Sequence, residues 1–445
     1  MPNHRTSTVL LLPALVIAGT CTGIASAQII DFRDTGQALG GDNDSYSVAL
    51  GDLDGDGDLD AMIANSGANT VWTNDGTGTF TDSGQRLFSG ASLSVALGDL
   101  DGDGDLDAMI ANSGGNAVWI NDGTGTFTYG QGLGNNFSNS VALGDLDGDG
   151  DLDAMFANAA KGESNTVWTN DGNGTFTDSG QAVGNGPSSS IALGDIDLDG
   201  HLDAFIANAG NQPNTVWVND GNGTFTDSGQ ALGNSSSYSV ALGDFYDYGY
   251  LDAMVANHFG QVNVVWRNNG NLSDVAGTFT NTGQYGKKSS YSVVVGDLDG
   301  DGAIDAMVTN GTETTTAWRN QLKGIPASFT TAQQFGTSNS YGVALGDLDG
   351  DGDLDAFFAN YQQPNTVWSN FSIPPNNCTL ADFDSSGSVG GPELSRLLTY
   401  YGFELADCEF GDCGPILEWA DLNKDGIVGS EDLQFLLEAW GTCSE

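Results

Sequence analysis

Basic side chains are scarce in this 445-residue chain: 11 lysines and arginines stand against 59 aspartates and glutamates, for a net charge of −48. A nucleic-acid surface needs clustered cations, so that class of partner is excluded, and a polybasic membrane patch with it. Histidine is scarcer still, at three, which leaves little for an imidazole metal site or for general base catalysis. Apolar runs are short: Val9 to Ile17 is the longest and cannot span a bilayer. Cysteine is confined to Cys21 and four positions in the last 68 residues, and helical periodicity is missing until residue 393. Charge overall is also low, at 16%, beside 39% apolar residues. The chain therefore has the material for a core, and its acid excess is concentrated, as around bound cations, rather than spread along a disordered tail.

Residues 1–27 read as a secretory signal: Arg5, the run Val9 to Ile17, and the small-residue site Ala25-Ser26-Ala27. Export would permit disulfides, and Cys378, Cys408, Cys413 and Cys443 suggest two, with three connectivities open.

What the sequence does contain is repetition. The block Gly-Asp-Leu-Asp-Gly-Asp-Gly-Asp-Leu-Asp begins at Gly51 and recurs with variation from Gly98, Gly144, Gly194, Gly243, Gly296 and Gly346. Each block is followed by a strand ending at Trp72, Trp119, Trp168, Trp217, Trp266, Trp318 or Trp368. Within the first unit, Ser47 to Leu50, Ala61 to Ala64, Thr70 to Thr73 and Thr79 to Thr81 read as four strands, the last two joined across Asn74-Asp75-Gly76. Four strands in about 40–50 residues is the pattern of a propeller blade. A terminal Phe strand follows only six of the seven tryptophans. The seventh copy stands first, at Asp31 to Gln37, so the N-terminal strand is expected to complete the last blade and close the ring. The reading is mainly β: a seven-bladed β-propeller over 28–370.

The acidic block places carboxylates at positions 1, 3, 5 and 9, glycine at 4 and 6, and a main-chain carbonyl at 7. In the first unit these are Asp52, Asp54, Asp56 and Asp60, with Asp58 supplying the carbonyl. The later intact loops present Asp99, Asp101, Asp103 and Asp107 with Asp105, and Asp145, Asp147, Asp149 and Asp153 with Asp151. They continue with Asp195, Asp197, Asp199 and Asp203 with His201, and Asp297, Asp299, Asp301 and Asp305 with Ala303. The last holds Asp347, Asp349, Asp351 and Asp355 with Asp353. Alternating hard oxygens around a tight turn suit Ca²⁺, and six loops imply six ions. Position 12 is apolar in each, from Ile63 to Phe358, so the chain leaves on a strand and not on an EF-hand helix. The fifth block, from Asp244, carries Tyr246 and Tyr248 at positions 3 and 5 and is expected to pack without metal. From Gln28 to Asn370 the chain resembles the FG-GAP/VCBS repeats of integrin-α-like propellers. That resemblance implies calcium loops bracing one face and carries over no catalytic residue.

Beyond a Pro-containing linker at 371–377 the pattern changes. Asp382, Asp384, Ser386 and Glu393 occupy positions 1, 3, 5 and 12 of one loop, with Ser388 at 7. Asp421, Asn423, Asp425 and Asp432 repeat this 39 residues later, with Ile427 at 7. Each loop is followed by an apolar helical repeat, Leu394-Leu397-Leu398-Tyr401 and Leu433-Leu436-Leu437-Trp440. Residues 378–445 resemble a dockerin of the GC type, which implies one or two further calcium ions and a cohesin-like surface or scaffold partner.

Function divides three ways. A non-catalytic binding or adhesion protein attached through its tail is favoured. A propeller-type polysaccharide lyase or glycoside hydrolase is the alternative, and a structural spacer the third reading. No nucleophile elbow, P-loop or histidine-centred site is present. Arg267, Lys287, Lys288 and Arg319 crowd into blades five and six, where an anionic glycan could dock, although local charge relief around a metal-free blade is the preferred reading. The repeated Trp and Phe positions are expected in the core.

Overall fold

The structure is a computed structural model. It describes residues 30–371 apart from 42–43, 89, 161, 271–276, 321–327 and 337, together with the backbone of 388–389 and 441–442. The expected signal at 1–27 and all but the first residue of the linker lie outside the described residues. So do the tail's helices, its calcium candidates other than the backbone of Ser388, and its four cysteines. Within the tail, Ser388–Val389 pairs antiparallel with Gly441–Thr442.

Residues 32–370 form seven four-stranded antiparallel sheets. Blade 1 comprises Ser45–Gly51, Asp60–Asn65, Asn69–Asn74 and Phe80–Leu87, the first three extending at both ends beyond the spans read from sequence and the fourth starting one residue later and running on to Leu87. The turn into its last strand needs glycine: Gly76 has φ +75°, and a Cβ there would lie 2.5 Å from the Asp58 carboxylate. The first strands of all blades line the axis and follow one another round the ring: Ser45–Gly51, Ser92–Gly98, Ser138–Gly144, Ser188–Gly194, Ser237–Gly243, Ser292–Gly296 and Ser340–Gly346.

The second strands explain the stability. Asp60–Asn65 is buried along its whole length, because neighbouring blades cover both its faces. Ala61 lies opposite Trp72, a small residue making room for a large one. Met62, Val71 and Leu87 of blade 1 pack with Val95, Ile110, Trp119 and Phe127 of blade 2. Each fully buried Met or Ile contributes roughly 1.5–3 kcal/mol. The recurring Trp and Phe residues are thus interblade core.

Closure follows the expected permutation. Phe32–Asp34 is the fourth strand of blade 7, pairing antiparallel with Thr366–Asn370 as Phe32↔Asn370, Arg33↔Ser369 and Asp34↔Trp368. Phe32 is buried and stacks on Phe335 of blade 6 at 5.4 Å.

Two sets of amides tie blade to blade. Asn74 Nδ2 donates to Leu348 O of blade 7 (2.8 Å), and Asn121, Asn170, Asn219, Asn268, Asn320 and Asn370 each reach the preceding blade's acidic loop in the same way. On the outer rim, Gln37 Oε1 accepts from Phe80 N at 2.9 Å, and Gln333 brackets Phe32 through both its N–H and its C=O. Gln85, Gln131, Gln181 and Gln230 bridge their junctions similarly.

Candidate metal centres

All seven acidic blocks leave the ends of the first strands, so they share one end of the propeller. In blade 1, oxygens of Asp52, Asp54 and Asp60 lie within 4.8 Å of one another, an arrangement that could hold a metal ion. Asp99, Asp101 and Asp107 repeat it, as do Asp145, Asp147 and Asp153, and Asp297, Asp299 and Asp305. In blade 4 the group is Asp195, Asp197 and Asp199. The loop from Asp347 to Asp355 makes the same main-chain bonds as the first.

Position 1 shapes the turn. Asp52 accepts from Gly55 N (2.8 Å) and Gly57 N (3.0 Å). Position 9 is a clamp: Asp60 is fully buried, one oxygen accepting from Leu53 N at 3.0 Å and the other from Asn74 N at 2.8 Å. Burial pushes its carboxyl up to about 6 in spite of those two bonds. At position 5, Asp56, Asp103 and Asp149 each accept from the position-7 N–H at 3.0 Å, as Asp199 does in blade 4. His201 is exposed, and its main-chain N–H bonds Asp199 at 3.0 Å, so its imidazole takes no part in the group.

The donor set suits a hard cation. Asp54 Oδ1 and Asp101 Oδ1 are buried and have no hydrogen-bond partner. Burial, then the charge of Asp56, raises the Asp54 carboxyl, as Asp103 does for Asp101. Three carboxylates at this spacing repel unless a cation lies between them.

Blades 5 and 6 differ. The residue after the blade tryptophan is Thr73, Ile120, Thr169, Val218 or Ser369 elsewhere, but Arg267 and Arg319 here. Arg319 Nε lies 2.6 Å from Asp299 Oδ2, at an angle that misses hydrogen-bond geometry, and its Nη2 lies 3.4 Å from Asp301 Oδ2. Asp299 is buried and pushed up to about 6, and Asp305 to about 8, both chiefly by burial. In blade 5 the Arg267 guanidinium sits over Tyr246 at 5.1 Å and Tyr248 at 5.3 Å. Yet Asp252 keeps the position-9 clamp, accepting from Phe245 N and Asn268 N.

The basic patch read from sequence does not assemble. Arg267 and Arg319 face the acidic loops, whereas Lys287 and Lys288 precede the first strand of blade 6 and lie at the opposite end. Lys288 Nζ is bound to Thr314 O (2.9 Å) and Thr314 Oγ1 (2.8 Å). Antiparallel strands send neighbours in sequence to opposite ends, which is why the cluster was an artefact of counting along the chain.

Sequence reasoning did not anticipate the Asn and Gln bridges or the second role of position 9. The recurrence of Asn two residues after each Trp was the available signal. Nor did it anticipate an axial cavity of about 480 Å³ at the end away from the loops, lined by residues from all seven first strands. Among the described residues, no helix is long and apolar enough to cross a membrane.

The profile of the FG-GAP-like repeat matches residues 52–110, 99–156, 145–206, 195–247, 248–308 and 297–358. A search of curated proteins returns no match. Among solved structures, BBS1N in complex with ARL6DN, soaked with mercury, superimposes with a TM-score of 0.54 at 10% identity, covering 76% of this chain and 96% of that one. The lead-soaked complex gives 0.54 at 9%, covering 78% and 97%. An Agrocybe aegerita lectin described as recognising non-reducing terminal N-acetylglucosamine gives 0.45 at 20%, covering 72% and 86%. At these identities the likeness is one of fold.

Proposed function

The chain belongs to the FG-GAP-like repeat family, and from that premise we propose that it is an exported binding protein, its propeller braced by calcium and its tail attached to a surface or scaffold partner. The observation that carries the calcium reading is the buried, unpartnered Asp54 Oδ1 and Asp101 Oδ1 facing their carboxylate groups. Oxygen-only donors on a flexible loop favour Ca²⁺ over metals that prefer nitrogen or sulfur. Five ions are expected, one in each of blades 1–4 and 7. The sixth loop meets its charge with Arg319, and the fifth has lost its acids at positions 3 and 5.

Binding is preferred to catalysis because of where the histidines sit. His258 is enclosed by Tyr238, Phe259 and Tyr291 at ring distances of 4.3–4.5 Å. Burial lowers its pKa, and it faces rings rather than an acid partner that would make it a base. Attachment through residues 378–445 rests on the loop spacing at Asp382–Glu393 and Asp421–Asp432.

Equilibrium dialysis should count five tightly held calcium ions in a chain ending at Asn370. Residues 371–445 fused to an unrelated exported protein should be retained at the surface only with calcium present. Retention of the truncated propeller, with loss of the fused tail to the medium, would place attachment in the blades instead.

A further inference from the structure

The seven repeats are nearly identical where they pack, so a position at which they diverge is informative. The second residue of the first strands, or its equivalent in blade 6, runs round the axis as Tyr46, Leu93, Asn139, Ser189, Tyr238, Tyr291 and Tyr341. The tyrosines fall on four consecutive blades, 5, 6, 7 and 1. They form a connected crescent, with ring centroids 5.7 Å apart for Tyr238–Tyr291, 4.0 Å for Tyr291–Tyr341 and 5.6 Å for Tyr46–Tyr341. Tyr361 stands behind Tyr341 at 5.0 Å. Blades 2, 3 and 4 carry shorter side chains, and the roughly 480 Å³ cavity lies between them and the crescent.

Its walls have a definite chemistry. Ser47, Ser94, Ser140, Ser190, Ser239 and Ser292 ring it, each immediately before the repeated Val or Ile. Ser190 Oγ accepts from Val240 N (3.4 Å) and Ser239 Oγ from Val293 N (3.2 Å), so those hydroxyl protons remain to be donated inward. Among the described residues, no charged side chain lines the cavity, in a molecule of net charge −48. Phe137 and Phe259 are exposed near the rim. One wall offers aromatic rings and phenol hydroxyls, the other small polar groups. The volume is within the about 300–1,000 Å³ of ordinary ligand pockets.

We infer that this axial cavity binds a neutral saccharide, as a short oligosaccharide or the end of a chain. A sugar ring pairs an apolar C–H face, which suits the tyrosine crescent, with hydroxyls that suit the serine ring. The protein's field disfavours an acidic sugar in a pocket whose described lining holds no cation. Breaking the sevenfold repeat on one side only gives the ligand a single orientation. The inference rests on the binding reading above and names the ligand class for it.

The test uses the full chain in calcium buffer, titrated by calorimetry with cellotetraose, xylotetraose, mannotetraose and chitotetraose, and with trigalacturonate and choline as controls. At least one neutral saccharide should bind. Ser189→Tyr gives blade 4 the side chain that four other blades carry there, so the ring should accept it, and it takes up space in the cavity that Ser189 lines. Affinity should fall at least about tenfold with the melting midpoint unchanged. Leu93→Tyr serves the same purpose from blade 2 should the first variant not fold. Absence of binding by every neutral saccharide would overturn the inference while leaving the calcium-braced propeller intact. So would preference for choline or trigalacturonate, or saccharide binding that neither tyrosine variant weakens.

Discussion

Blades 1 to 3 and blades 5 and 6 share a strand framework and meet the same electrostatic problem in opposite ways. In blades 1 and 2, position 3 keeps a buried carboxylate oxygen without a partner, and among the described residues no ion pair reaches it. In blades 5 and 6 the chain supplies its own cation, Arg267 over two tyrosines and Arg319 against Asp299 and Asp301. The loops also differ in form. Asp52, Asp99 and Asp145 accept from position 4 and position 6, whereas Asp195, Asp244 and Asp297 accept from positions 5 and 6. What persists in both groups is the clamp at position 9 and the asparagine bridge beside it. One nine-residue loop therefore carries two tasks: position 9 holds the strands in every blade compared, and positions 1 and 3 join it in the candidate metal groups where their acids are kept.

The largest expected effect is from chelation. Each site at a hundredfold excess over its dissociation constant contributes about 2.7 kcal/mol, and five such terms rival the whole stability of an ordinary domain. In excess EGTA the calorimetric midpoint should fall sharply, and limited proteolysis should cut blades 1–4 before blades 5 and 6. An unchanged midpoint would remove the metal from the account.

Next come single substitutions. Asp252→Ala and Asp60→Ala should both destabilise, because each leaves two buried N–H groups unpaired at about 1–3 kcal/mol apiece. Asp54→Ala should cost stability only when calcium is present, and Asp247→Ala almost none in either condition. Urea denaturation with and without calcium separates these. If Asp252→Ala proves silent, the position-9 clamp does not hold the strands.

A smaller effect tests the sixth blade. Arg319→Gln should raise the calcium count from five to six by equilibrium dialysis, since it frees Asp299 and Asp301. A wild-type count of six would show that the guanidinium does not exclude the ion.

The smallest concerns pH in the metal-free protein. Burial raises Asp60 to about 6, Asp252 and Asp355 to about 7 and Asp305 to about 8, against 3.8 for the free side chain. An acid whose folded pKa is raised binds more protons folded than unfolded, so its contribution is complete below 3.8 and lost as pH climbs through 6 to 8. The chelated midpoint should therefore rise between pH 7 and pH 5. The calcium-loaded midpoint should fall over the same interval as protons displace the ion.

The blade count, the permuted closure and the acidic loops were legible because each is written within one repeat. Asp52 and Asp60 are close in the chain, and Phe32 betrays itself by resembling Phe80. The bridges were not legible, since Asn74 reaches a carbonyl at Leu348 and nothing near Asn74 names that partner. The tyrosine crescent was hidden for the same reason: each repeat holds at most one of Tyr46, Tyr238, Tyr291 and Tyr341, and only the ring assembles them. The basic patch failed in the reverse direction, because Arg267 and Lys287 are near in sequence while the hairpin between them carries them to opposite ends.

The closing strand also decides how the molecule bears tension. The chain leaves the propeller at Phe371, whose N–H is held by Asp31 O at 2.9 Å, directly beyond the Asn370–Phe32 pair. A pull entering from the tail is therefore delivered to the one sheet assembled from both ends of the ring. It loads the Phe371–Asp31 contact first, then Asn370 and Phe32, then Ser369 and Arg33. Gln333 of blade 6 holds the same short strand on one side, and Gln37, three residues beyond its end, ties it to Phe80 of blade 1 on the other. The seam that completes the circle is thus its mechanical fuse: the other six blades should stay folded until that clasp opens.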